Sequence, residues 1–200
     1  MRKDFRDFVR QCDQCLANKG HNTLPDGDAQ TLPFPSRIFS SYAIDVMEPF
    51  TKLKCLDSIL VVVNRAVGFR WLIPTSVTAM AVQTTELLQH CIFTPHGVPT
   101  LIVSNADPRF PSKFRKQTLK TMGIKHIMAS PGHHQRNGQA ERKIRELKTA
   151  LRNIVNLRQT NWLTSLPEVA TYSNAGHSDT INMFLYKAVY RRDYPLSDTY

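Results

Sequence analysis

The sequence lacks any apolar run able to cross a bilayer. Its longest aliphatic stretch, Ile59 to Val63, is five residues, where a spanning helix needs about 20. No secretory leader is expected, because the chain opens on the charged Met1-Arg2-Lys3-Asp4. Cysteine is scarce: of the four, only Cys12 and Cys15 lie close together, which excludes a disulfide framework and points to a reducing compartment. Cys55 and Cys91 read as buried small apolar residues. No internal repeat is visible. What remains, at 42% hydrophobic, 9% aromatic and 21% charged over 200 residues, is a globular chain with enough apolar surface for one core.

Acidic residues are in short supply, 16 against 26 Lys and Arg, for a net charge of +10. The shortage is local. From Arg109 to Arg158 there are 13 basic and 2 acidic residues, a surplus of +11, and the rest of the chain sums to −1. A surplus confined to one quarter of the sequence points to a surface facing a polyanion, most simply nucleic acid. A basic face that is merely solvated is the bland alternative.

Residues 1–20 read as a short helix running into Cys12-Asp13-Gln14-Cys15, and 19–35 as a linker rich in Gly, Pro, Asn and Asp. Strands are predicted at 41–46, 57–64 (apolar throughout, hence covered on both faces), 69–74, 100–104 and 124–129. Helices are predicted at 78–93 with Thr78 as N-cap, at 112–122 stopped by Gly123, at 139–157 and at 162–174. In the long helix, Ile144, Leu147, Leu151, Ile154 and Val155 form an apolar stripe. Trp71 and Trp162 read as packing residues. Three strands, then alternating helix and strand, then helices, predict an α/β domain with a mixed sheet covered on both faces.

The chemistry-bearing residues stand where strands end and a helix starts. Asp45 closes the first strand, Asn105 follows the strand at 100–104, and Glu141 lies in the first turn of the long helix. Oxygen donors converging there suit hard divalent cations, and a pair of such ions activates a water or hydroxyl against a phosphodiester. Arg145 and Lys148 follow Glu141 by four and seven residues, on the same helix side, in the path of any strand reaching the site.

The stretches HGVPTLIVSNADPRFPSKF (from His96) and SPGHHQRNGQAERKIREL (from Ser130) resemble the core of a gypsy-type LTR-retrotransposon integrase. Gly138-Gln139-Ala140-Glu141-Arg142 matches the opening of that family's third-acid helix, with 35 residues between positions 105 and 141. RKDFRDFVRQCDQCLANK resembles the second half of its His-His-Cys-Cys zinc module. The likeness runs from about Arg2 to Pro195.

The resemblance implies an RNase H-like three-layer fold, a mixed five-stranded sheet covered by helices on both faces. It divides the chain into a truncated zinc module (1–20), a linker (21–35) and the integrase catalytic core (36–196). It assigns Asp45, position 105 and Glu141 as the catalytic set, with Mg²⁺ or Mn²⁺ on Asp45 and Glu141. It places His133, Gln135, Arg142, Arg145 and Lys148 against nucleic acid, DNA first and RNA as a second class. It further implies a nuclear site of action and a homo-oligomer, with no membrane partner.

Three departures matter. Asn105 stands where the family has Asp, so the site's formal charge falls from −3 to −2 and metal binding is expected to be weak or absent; Asp107, two residues on, matches a different family Asp. Cys12 and Cys15 are half of a tetrahedral Zn²⁺ site whose His pair would lie upstream. In DTINMFLYKAVYRRDYP, Phe184 and Leu185 replace a small residue and Pro, and Arg191 takes a Gly position. Three function classes follow: an integrase core with strand transfer weakened or lost, a catalytically dead nucleic-acid-binding module, and a decayed polyprotein fragment.

Overall fold

The computed structural model describes residues 34–47, 50–79, 81–105, 119–129, 138–156 and 158–195, with backbone alone at 81, 105, 129, 138–141 and 152. β-branched and aliphatic runs build its centre. β1 (Ser41–Met47), β2 (Ser58–Asn64), β3 (Arg70–Thr75), β4 (Leu101–Asn105) and β5 (Lys125–Ala129) form one sheet in the order β3-β2-β1-β4-β5. β2 runs antiparallel to both β1 and β3, whereas β4 is parallel to β1 and to β5. This is the mixed five-stranded sheet that the sequence predicts.

The two faces divide the core by the two-residue period of the strands. Tyr42, Ile44, Leu60, Val62, Ile73 and Ile102 point to one side. Leu88, Ile92 and Phe93 of α1 (Ala81–Leu88, continued by a wider π turn, Gln89–Phe93, and by Thr94–His96) cover them. Ala43, Met47, Ile59, Val61 and Val63 point to the other side. They meet Ile144, Leu147 and Leu151 of α2 (Gly138–Ile154) and Trp162, Leu166 and Val169 of α3 (Trp162–Ala175). β2 lacks polar alternation because every one of its side chains is buried, on one face or the other. None of the described helices is long and apolar enough to cross a membrane.

Three local features differ from sequence expectation, and one matches it. Thr78 does not cap α1; its amide and hydroxyl both bond Ser76 Oγ, closing a turn before the helix starts at Ala81. The helix also outlasts Phe93. Pro95 has no N–H to give and crowds the preceding turn, and the π turn widens there, with Thr94 donating its N–H and Oγ1–H to Gln89 O. Cys55 is exposed, not buried, because it sits at φ 66° in the tight turn between Leu53 and Leu56. Trp162 is wholly buried as expected, stacks on Phe50 at 5.0 Å, and donates Nε1–H to Thr51 O at 2.8 Å.

The chain after α3 forms a small unit with no counterpart in the sequence prediction. A two-residue hairpin, β6 (His177–Ser178) with β7 (Met183–Phe184), leads into α4 (Leu185–Tyr190). Leu185 packs on Val67 and Phe69, beside Trp71. His96 lies among the rings there, stacked on Phe39 at 4.6 Å and 5.2 Å from Trp71, and burial holds its pKa below the ordinary value. At the start of β3 the Asn174 amide takes the Arg70 N–H (2.9 Å) and gives its own N–H to the Arg70 carbonyl (2.7 Å).

Gly123 and Arg191 are among the positions that adopt left-handed backbone at chain reversals. Gly123, at φ 72°, closes the helical segment 119–121: its N–H bonds Lys120 O and that of Ile124 bonds Leu119 O. Arg191 ends α4 at φ 56°, its N–H on Lys187 O, a conformation that penalises any Cβ. Gly123→Ala is therefore expected to lower stability by about 1 kcal/mol, and Arg191→Gly to raise it by up to about 1 kcal/mol, read as opposite shifts of the thermal midpoint.

His96 gives a second expectation. Its folded pKa is depressed, so between the folded and unfolded values the unfolded chain binds the proton more readily. The stability it contributes is present above about pH 6.5 and falls as the pH drops below that value. His96→Phe should flatten the loss of thermal midpoint between pH 7 and pH 5; an undiminished slope would assign the loss to other groups.

Candidate active site and nucleic-acid face

Asp45 lies two residues from both Ala43 and Met47, so the strand period turns it toward the α2–α3 layer. Its carboxylate is largely enclosed, with 14% of the side chain exposed. Oδ1 accepts the Val46 N–H at 2.9 Å, and Lys148 Nζ, reaching in from α2, stands 4.0 Å from Oδ2. A carboxylate inside the apolar layer is thus met by a cation from the helix that covers the layer.

β4 brings position 105 to the same end. Ala43 pairs with Val103 and Ile44 with Ser104 in parallel register. One further step along both strands sets the backbone of 105 level with that of Asp45. α2 begins at Gly138, which puts 141 in its first turn, and at 100° per residue 141, 145 and 148 share one stripe. Of these, Lys148 is the one whose side chain is seen to reach Asp45. The side chains at 105 and 141 lie outside the described residues, as do Cys12, Cys15, Asp107, His133 and Gln135. Among the described residues no group of three or more His, Cys, Asp or Glu is placed to hold a metal.

The basic side chains of α2 separate by partner. Arg142 and Arg145 are exposed. Glu146, the helix's described acid, accepts Arg70 Nη2 at 3.0 Å and Lys143 Nζ at 3.3 Å. Arg70 is 6% exposed; burial pushes its pKa down, and Glu146 beside it pushes back. Glu146 is thereby drawn toward β3, so Arg142 and Arg145 present positive charge with that acid neutralised.

The sequence reading missed two of these contacts. The Lys148–Asp45 approach was foreseeable only once both the parity of β1 and the α2 stripe were fixed in space, because 103 residues separate the partners. The Arg70–Glu146 pair had a weaker signal: five residues past Glu141, Glu146 is turned some 140° away from it and faces a different neighbour.

A five-stranded mixed sheet in the order β3-β2-β1-β4-β5, with helices on both faces, is an RNase H-like α/β fold. The structure matches a chain of the simian T-cell lymphotropic virus intasome, solved in complex with PP2A regulatory subunit B56 gamma. The TM-score is 0.62 at 16% identity, covering 98% of this chain and 69% of that one. No family model matches the sequence. Over 198 residues, 98% of its length, the chain is 26% identical to the Tf2-3 polyprotein of the fission yeast Schizosaccharomyces pombe, and the Tf2-4 polyprotein gives the same figures. The chain spans about 15% of the length of these polyproteins. It is therefore related to the Tf2 retrotransposon polyproteins, and the resemblance to the gypsy-type integrase core holds in both sequence and fold.

Proposed function

We propose that the chain is the catalytic core of a retrotransposon integrase that keeps its DNA-binding face and has weakened or lost strand transfer. The observation that carries this reading is the approach of α2 to Asp45, with Lys148 Nζ at 4.0 Å from the carboxylate, at the sheet end where β4 also finishes. Asp45 and Glu141 supply the carboxylates of the site. Asn105 supplies one neutral carbonyl oxygen, which neither adds charge nor bridges two cations.

That donor set fits one hard cation, Mg²⁺ or Mn²⁺, better than two. When bound, such ions supply activation of the attacking hydroxyl and stabilisation of the leaving oxygen. Arg142, Arg145 and Lys148, with His133 and Gln135 from the preceding segment, bind and orient the phosphodiester backbone. DNA ends and target DNA are the partners, a homo-oligomer the working assembly and the nucleus the place of action. Asn105 also favours a second reading, a nucleic-acid-binding module without chemistry, for DNA or RNA.

The two readings part on restored charge. With Mg²⁺ or Mn²⁺ and a labelled duplex carrying a retroelement end, the unchanged chain should show little or no joining, and Asn105→Asp should raise it. Robust joining by the unchanged chain overturns the loss of activity, and no joining by either leaves the binding module as the better account. In a separate titration, Lys148→Ala should weaken duplex binding and reduce the slope of log affinity against log salt by about 1. An identical slope would remove Lys148 from the phosphate contacts.

A further inference from the structure

Lys148 has two claims on it. It belongs to the basic stripe proposed to meet phosphate, yet its ammonium lies 4.0 Å from Asp45, the one carboxylate of the proposed metal site whose side chain is described. The geometry suits a cation that can leave. At 4.0 Å the contact is electrostatic, beyond direct hydrogen-bond length. Lys148 is 43% exposed and ends a flexible four-carbon stem, whereas Asp45 is 14% exposed, held by its strand and by the Val46 N–H.

We propose that Lys148 is an intramolecular cation that competes with the divalent metal for Asp45, and that DNA phosphate relieves the competition by drawing Lys148 away. The inference rests on the reading of this site as a nucleic-acid-facing metal site. Its electrostatics are simple. A site with two carboxylates and one amide carries −2, and Lys148 reduces that to −1, so an approaching divalent ion meets both a weaker field and a like charge. A phosphate bound by Lys148 removes the like charge from the carboxylate. Metal and DNA then favour each other, and by linkage the factor is the same in both directions. The consequence is an order: the site is poor at holding metal until DNA is present. The loss of the acid at 105 sharpens this, because one ammonium offsets a larger share of −2 than of −3.

The test is a Mn²⁺ titration of the full chain, bound metal read from the loss of the free-ion electron paramagnetic resonance signal, with and without a short duplex and against duplex alone. Without DNA, Lys148→Gln should bind Mn²⁺ at least about 5-fold tighter than the unchanged chain. Lys148→Arg, which keeps the charge, should stay near the unchanged chain, and Asp45→Asn should abolish the gain from Lys148→Gln. Duplex should raise the Mn²⁺ affinity of the unchanged chain by a similar factor and leave that of Lys148→Gln nearly unmoved. Equal or weaker Mn²⁺ binding by Lys148→Gln, or none at all, overturns the competition. Duplex that binds without raising Mn²⁺ affinity overturns the relief by phosphate while sparing the proposed function. Failure of the duplex to bind the unchanged chain sinks the proposed function itself.

Discussion

The parallel pairing of β1 with β4 is the constraint on which the arrangement of this molecule rests. Two neighbouring strands running the same way finish at the same edge of the sheet, and the pairing of Ala43 with Val103 and Ile44 with Ser104 fixes the level at which they do so. A slip of one residue would turn either strand's side chains to the opposite face, sending Asp45 into the α1 layer and Ile44 out of it. The buried apolar sets on both faces forbid that slip, since Tyr42 and Ile44 serve one core and Ala43 and Met47 the other. The geometry of the site is thus specified by hydrophobic residues that take no part in its chemistry.

α2 carries that constraint into the placement of its basic side chains. Ile144, Leu147 and Leu151 hold one side of it against the sheet. The same burial fixes its rotation, so Lys148 is delivered to Asp45 while Arg142 and Arg145 are left in solvent. Glu146 would offset that positive charge if it stood unneutralised, and Arg70 and Lys143 occupy it. The loop between β1 and β2 fastens the link from α2 to α3: Thr51 bonds the Gln159 side chain and the Arg158 carbonyl, and accepts from Trp162.

Strands and the long helices were legible because their signals are local. The run Ser58–Asn64 and the stripe Ile144, Leu147, Leu151 announce burial by spacing alone, and Gly123 announces a stop through its backbone freedom. The resemblance added what spacing does not hold, the expectation that positions 45, 105 and 141 act together. What stayed hidden depends on contacts remote in sequence or on competition between local preferences. Thr78 is a good cap residue, yet Ser76 two residues earlier captures it in a turn. Cys55 reads as a core residue by type, yet a tight reversal puts it in water. The unit formed by β6, β7 and α4 was missed because two-residue strands carry no periodicity, and because the six-residue α4 meets rings remote in sequence, Phe69 just before β3 and His96 of α1.

Asn174 has a consequence for the margin of the sheet. β3 is an outermost strand, and the Arg70 N–H and C=O are met there by the Asn174 amide as a neighbouring strand would meet them. Four residues on, the same parity aims the backbone nitrogen of Pro74 outward, where proline has no hydrogen to offer. An amide imitating one residue of a strand, followed by a missing donor, denies an intruding chain its first rungs. The border that would otherwise invite accretion of further copies is sealed by two side chains.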